Sequence, residues 1–156
     1  MKKIRYYIDT SVLNFVFADD SPERKQITID FFNRVRSGSI EIFVSTAVMS
    51  EIEAAPEPRR TELRELIREH QPILLETDVE VEDLAGKYIA EGIIPLKYEE
   101  DAIHIAVATV NDLDVIVSWN FKHIVKVKTR REVNGVNRML GYREIEIASP
   151  EEALEQ

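Results

Sequence analysis

The chain has 156 residues, 44% of them hydrophobic and 31% charged, which suits one packed domain spanning 1–156 and excludes a disordered chain. It has no cysteine, so disulfides, thiol nucleophiles, iron–sulfur clusters and cysteine-held zinc are excluded. Its net charge of −9 argues against a surface that attracts nucleic acid everywhere.

The elements can be read in chain order. Ile4 to Ile8 is an apolar, β-rich strand, and Asp9-Thr10-Ser11 offers three N-cap residues before a short helix around Val12 to Phe17. Asp20-Ser21-Pro22-Glu23 opens a second helix, which carries Ile27, Phe31, Phe32 and Val35 and stops at Ser37-Gly38. Ile40 to Ser45 is a second strand, and Thr46 to Ala55 a helix ended by Pro56. The charged stretch from Pro58 to His70 has a thin apolar stripe, Leu63, Leu66 and Ile67, and Ile73 to Glu76 is a third strand. Val79 to Ala90 is helical, and Tyr98 to Asn111 holds Ile103, Ala106, Val107 and Val110 on one helical face. Val115 to Val117 is a short buried strand, followed by a basic helix ending near Gly141. Glu144 to Ile147 is a last strand, and Ser149-Pro150 starts a terminal helix. Short apolar strands alternating with helices predict an α/β fold with a mainly parallel sheet of four to five strands, covered on both faces as a three-layer α/β/α sandwich. No run is long and apolar enough to span a bilayer, and the N-terminus has no signal-peptide pattern, so a soluble cytoplasmic protein is expected.

In parallel sheets the functional crevice lies beyond the carboxyl ends of the strands. Asp9 follows the first strand directly; it can be a helix cap, but Thr10 and Ser11 could cap as well. Glu51 lies in the helix after the second strand, where a solvent-facing glutamate is ordinary. Asp101 is in the first turn of the best amphipathic helix beside Glu99 and Glu100, where acids suit the helix dipole. Asn120, after the Val115–Val117 strand, is a common cap. Each has a bland explanation alone, yet all fall near the mouth of one sheet. Carboxylates brought together repel one another unless a cation neutralises them, and oxygen ligands suit Mg2+ or Mn2+. Such an ion beside a phosphate activates water.

The charge is unevenly spread. From Val115 to Arg143 the basic residues Lys122, Lys126, Lys128, Arg130, Arg131, Arg138 and Arg143 face the single acid Glu132. The strip reads either as a polyanion-binding edge or as a solvated helix face. Phosphate-loop, nucleophile-elbow and HExxH patterns are absent, and only five glycines are present.

The motifs Tyr7-Ile8-Asp9-Thr10-Ser11-Val12, Val48-Met49-Ser50-Glu51-Ile52, Glu100-Asp101-Ala102-Ile103-His104-Ile105-Ala106 and Val117-Ser118-Trp119-Asn120-Phe121 come in an order and spacing that resembles the PIN-domain ribonucleases, which include VapC-like toxins of toxin–antitoxin pairs. The resemblance covers nearly the whole chain. It implies a Mg2+- or Mn2+-dependent RNA-cleaving site, frequent homodimers and a possible antitoxin partner. By that likeness Asp9, Glu51 and Asp101 are the metal-binding catalytic acids, and Asn120 stands where many members have a fourth acid. An amide brings no charge, so a second ion should bind more weakly. Ser118 matches a supporting hydroxyl, with Thr10 and Ser11 placed to do the same. Lys122, Lys126, Lys128, Arg130 and Arg131 are the candidates for contact with the RNA backbone.

His104 is read as a half-buried packing residue, His123 as a surface residue, His70 as a cation ending a charged helix, and Trp119 as core packing rather than a base-stacking ring. Phe15, Phe17, Phe31 and Phe32 fit a dimer face as readily as a core. Two rivals remain: a catalytically weakened PIN-like module that binds RNA or protein, and a phosphoaspartyl protein using Asp9. The second is disfavoured, because a phosphatase would place another acid two residues later, where Ser11 stands.

Overall fold

The structure, a computed structural model, describes residues 2–155. The elements run β1 (Ile4–Ile8), α1 (Thr10–Phe15), α2 (Pro22–Arg36), β2 (Ile40–Ser45), α3 (Thr46–Ala54), α4 (Arg59–His70), β3 (Ile73–Leu75), α5 (Val79–Ala90), α6 (Glu99–Val110), β4 (Val115–Val117), α7 (Val127–Met139), β5 (Glu146–Ala148) and α8 (Pro150–Leu154), with a 3-10 turn at Leu96–Tyr98. The five strands form one sheet in the order β3-β2-β1-β4-β5, and every neighbouring pair is parallel. The expected three-layer α/β/α architecture is therefore present, all-parallel rather than mainly so.

Parallel neighbours need crossover connections, and these are right-handed. Connections from β1 to β3 step one way along the sheet and those from β3 to β5 step back, so their helices cover opposite faces. Successive β1 side chains show both layers. Tyr6 meets Phe31 of α2 edge-on at 5.8 Å, while Tyr7 meets His104 of α6 at 5.7 Å. The central strands are buried on both faces (Tyr7, Ile8, Ile116 and Val117 are fully enclosed), which explains their unbroken apolar runs. On the β3 edge, Ile73 and Leu74 stay exposed.

Three local outcomes bear on the site. α1 begins at Thr10, two residues earlier than the apolar pattern indicated, because Asp9 is its N-cap and accepts from the Val12 N–H at 3.4 Å. β5 begins at Glu146 rather than Glu144. Asn134 takes both backbone groups of Ile145, accepting its N–H at 2.8 Å and donating to its carbonyl at 2.9 Å, and so withholds that residue from the ladder. Phe31 and Phe32 are buried in the core, and Phe15 and Phe17 are partly buried against it. Among the described residues no helix is long and apolar enough to cross a membrane.

The strand order reverses at β1 and β4. Their register pairs Ile8 with Val117, which sets the next residues, Asp9 and Ser118, side by side at the carboxyl end of the sheet.

Candidate active site

Asp9 is 4% exposed and held by a web of hydroxyls. Ser11 donates to Asp9 Oδ1 at 2.5 Å and Ser118 donates to Oδ2 at 2.5 Å. The web is anchored to the chain leaving β4, since the Trp119 N–H donates to Ser11 Oγ at 2.9 Å and the Asn120 N–H to Ser118 Oγ at 2.9 Å. Burial raises the Asp9 pKa; His104 and the two serines pull it down without overcoming desolvation. Ser11 and Ser118 thus hold both carboxylate oxygens of Asp9. The Thr10 hydroxyl is buried and has no hydrogen-bond partner among the described residues.

Glu51 rides on α3, whose N-cap Ser45 closes β2 and accepts from the Ala47 N–H at 3.2 Å. Its carboxylate meets His104 Nε2 at 2.7 Å, while His104 Nδ1 lies 2.6 Å from the Tyr7 hydroxyl, itself 2.8 Å from Ser45 Oγ. This buried chain ties β2, β1, α6 and α3 together at one point. Burial alone would lower the His104 pKa, but the hydrogen bond to Glu51 and the fields of Asp9, Glu51 and Asp101 reverse this, and the net shift is upward. Nε2–H donates to the Glu51 carboxylate, and Nδ1 shares a hydrogen bond with the Tyr7 hydroxyl. His104 is not half-buried packing as the sequence indicated. It is 2% exposed and lies among the acids. The available signal was its position three residues after Asp101, on the same side of α6. Tyr7 gave a similar signal, two residues before Asp9 on one face of β1.

Asp101 sits in the first turn of α6 and is half-buried. Burial raises its pKa to about 6; His104 and a hydrogen bond from Asn120 oppose the rise, while Asp9 and Glu51 add to it. Asp9, after β1, and Glu51, on α3, are therefore both within electrostatic reach of Asp101. Asn120 is oriented by the backbone: its Oδ1 accepts from the His123 N–H at 2.9 Å, which leaves the amide nitrogen to serve Asp101. The amide nitrogen thus faces an acid while the oxygen holds the turn.

Among the described residues no three His, Asp or Glu side chains form a ready-made metal cage. The donor chemistry nevertheless fits a hard divalent cation. Three carboxylates lie around His104, burial raises the pKa of two of them, Asp9 and Asp101, and their oxygens are hard donors. Asp9, Glu51 and Asp101 are the residues that would hold it.

The basic candidates divide by their partners. Lys122 and Arg131 are exposed and Lys126 is half-buried, and none of the three makes an ion pair among the described residues. Lys128 reaches the Gly92 carbonyl at 3.2 Å and Glu132 at 3.9 Å. Arg130 is committed inside the fold, donating to the Ile147 carbonyl at 3.0 Å and to Glu152 at 2.8 Å. A groove of about 730 Å3 runs along α7 past Lys128, Arg131 and Arg138. The remaining rings depart from expectation in two places. His123 is buried rather than superficial, stacked on Tyr98 at 4.1 Å, because the chain turns inward after Asn120. His70, in the last turn of α4, stacks on Phe32 at 4.7 Å, and burial lowers its pKa, against the cation expected there. Trp119 packs inside as expected, with Nε1–H donating to Thr28 Oγ1 at 2.8 Å.

The family model of the PIN domain matches residues 6–124, a span that contains all three acids and Asn120. The chain belongs to the PIN-domain family. PIN-domain proteins are nucleases, and at that level this PIN domain is one of them. Two solved structures share its fold. One is VapBC2 from Rickettsia felis bound to a DNA fragment from their promoter, with a TM-score of 0.58 and 10% identity over 94% of this chain and 98% of that one. The other is DNA-bound VapBC from Salmonella typhimurium, with a TM-score of 0.54 and 15% identity over 94% and 98%. At such identities the likeness concerns the PIN fold alone. No curated protein matches the sequence.

Proposed function

We propose that this PIN-domain nuclease is a Mg2+- or Mn2+-dependent endoribonuclease and the toxin of a toxin–antitoxin pair. The observation that carries the reading is the convergence of Asp9, Glu51 and Asp101, from three separate parts of the chain, around the buried His104. A fold does not gather carboxylates at a stability cost without a use for them. When bound, a divalent ion supplies charge balance for the scissile phosphate and acidifies an attacking water. The chain's own residues prepare the place. Ser11 and Ser118 fix the rotamer of Asp9, His104 holds Glu51 against α6, and Asn120 donates to Asp101. Lys122, Lys126 and Arg131 are left to contact backbone phosphates, which positions a strand without reading its sequence.

An antitoxin partner is proposed by analogy with the two VapBC complexes. A second feature agrees. Between α1 and α4 an apolar groove of about 400 Å3, lined by Val16, Phe17 and Leu66, is rimmed by Glu62, Glu65 and Glu69, which complements a basic amphipathic segment.

The test is cleavage of unstructured and hairpin RNAs by the purified protein with Mg2+, Mn2+ or EDTA, alongside Asp101→Asn. Metal-dependent cleavage abolished in the variant supports the assignment. Equal cleavage by the variant removes Asp101 from the site. Tight RNA binding with no cleavage under any metal supports the rival, a catalytically weakened binding module.

A further inference from the structure

The chain that leaves β4 alternates residues with opposite fates. Ser118 and Asn120 turn toward the acids, Trp119 enters the core, and Phe121 is 42% exposed. The Phe121 ring stands edge-on to Trp119 at 6.0 Å, and the exposed Arg24 guanidinium lies 5.0 Å from the Phe121 centroid and 5.2 Å from that of Trp119. Arg24 makes no ion pair among the described residues. Beside it a recess of about 310 Å3 opens along Ser21, Pro22 and Glu23. The next residue of the loop shows a second aromatic–cation pairing. Lys122 Nζ lies 5.4 Å from the Tyr98 ring, which Lys97 also approaches at 5.8 Å. The segment after Asn120 therefore combines exposed aromatic surface with cations that are not neutralised by carboxylates.

We propose that Phe121 and Arg24 form a base-stacking subsite, holding an unpaired nucleobase of the substrate next to the phosphodiester presented to the acids. This deepens the ribonuclease reading and rests on it. Aromatic rings flanked by cations are what single-stranded nucleic acid selects, because every base offers a π-face and every linkage a charge. Phe121 has no hydrogen-bonding group, so it contributes stacking and strand choice without base identity, favouring purines through their larger face. Arg24 serves the same nucleotide, its guanidinium stacking against the base or meeting the adjoining phosphate. A base in a duplex cannot reach the ring unless it unpairs. The subsite therefore selects flexible strands over paired ones. Phe121 and Arg24 are positioning residues.

The experiment measures kcat and KM on a single-stranded RNA for the parent, Phe121→Ala, Phe121→Trp and Arg24→Ala, and metal-free affinity for the same strand in EDTA. Stacking by one exposed ring corresponds to a KM rise and affinity loss of roughly 5- to 30-fold in Phe121→Ala. Unchanged kcat and restoration by Phe121→Trp are expected with it. Substrates carrying one abasic position near the cut should lose less in Phe121→Ala than in the parent, since the ring then has nothing to hold. A Phe121→Ala protein with parental KM and affinity, while the parent cleaves, overturns the subsite and leaves the ribonuclease reading intact. If the parent never cleaves yet Phe121→Ala still loses affinity for the strand, the subsite stands and the nuclease reading falls. Loss of kcat alone, not restored by Trp, assigns Phe121 to the structure of the loop and overturns the proposal.

Discussion

Replacing Asp101 with asparagine should stabilise the protein while removing its activity. Asp101 ionises near pH 6 in the folded chain, against 3.8 for the free side chain, because it is buried beside Asp9 and Glu51. Asparagine mimics the protonated carboxyl and keeps a partner for Asn120. A rise of roughly two pKa units corresponds to about 3 kcal/mol of destabilisation by the charged form, and partial solvent exposure reduces this to about 1–2 kcal/mol. The sign follows from proton linkage. The folded state binds its proton more tightly than the unfolded chain, so the ionisation cost is absent below the unfolded value, grows between it and about 6, and is constant above. Asp101→Asn should therefore melt a few degrees above the parent at pH 8 in EDTA, at about 2–4 °C per kcal/mol for a chain of this size. The gap should narrow as pH falls from 6 toward 4. Added Mg2+ should stabilise the parent more than the variant, since a ligand that binds only the folded state stabilises by mass action. Urea or thermal unfolding at pH 5, 6, 7 and 8 reads all of this. A variant no more stable than the parent at pH 8, or a gain that grows on acidification, refutes the claim that Asp101 is held at a cost.

Ser118→Ala removes a hydrogen bond that lowers the Asp9 pKa, so the acid limb of the rate–pH profile should move to higher pH, with the losses largest at the acid end and partial recovery as pH rises. His104→Gln breaks the Tyr7–His104–Glu51 chain and should cost roughly 10- to 100-fold in cleavage rate or in the metal concentration needed for half-activity, with the helical circular dichroism retained. Tyr88→Phe lies away from the site. It strips the buried Asn137 Oδ1 of a hydrogen-bond donor at 2.5 Å and should cost about 1–3 kcal/mol in urea unfolding with no change in kcat or KM.

The part of the site that was legible in the sequence is the part set by local periodicity. Asp9 ends an apolar strand, Asp101 opens an amphipathic helix and Glu51 follows a second strand, so each could be placed at the sheet's mouth from its neighbours alone. The contacts between elements were hidden, because they depend on how α6 settles against β1 and α3. Glu51 and His104 are 53 residues apart, and no spacing rule predicts that a buried imidazole meets a half-exposed carboxylate at 2.7 Å. The orientation of the Asn120 amide was hidden for the same reason. It is dictated by the backbone of His123, in a loop whose turn the sequence does not announce.

The same turn explains why the sequence drew attention to Trp119 among the rings and passed over Phe121. The two positions have the same parity, so a continued strand would turn both toward one face of the sheet. The chain leaves the strand at Val117 instead and coils, with the Phe121 N–H donating to the Trp119 carbonyl at 3.0 Å and the Ile124 N–H to the Asn120 carbonyl at 3.1 Å. Parity is lost within that turn. Thr28 captures the indole N–H from inside, and the smaller ring is left outside against Arg24. One turn thus delivers the Ser118 hydroxyl to Asp9, the Asn120 amide to Asp101 and, one residue further on, an exposed aromatic against Arg24. A substitution that straightens it should damage acid positioning and strand binding together, whereas Phe121→Ala should separate the two.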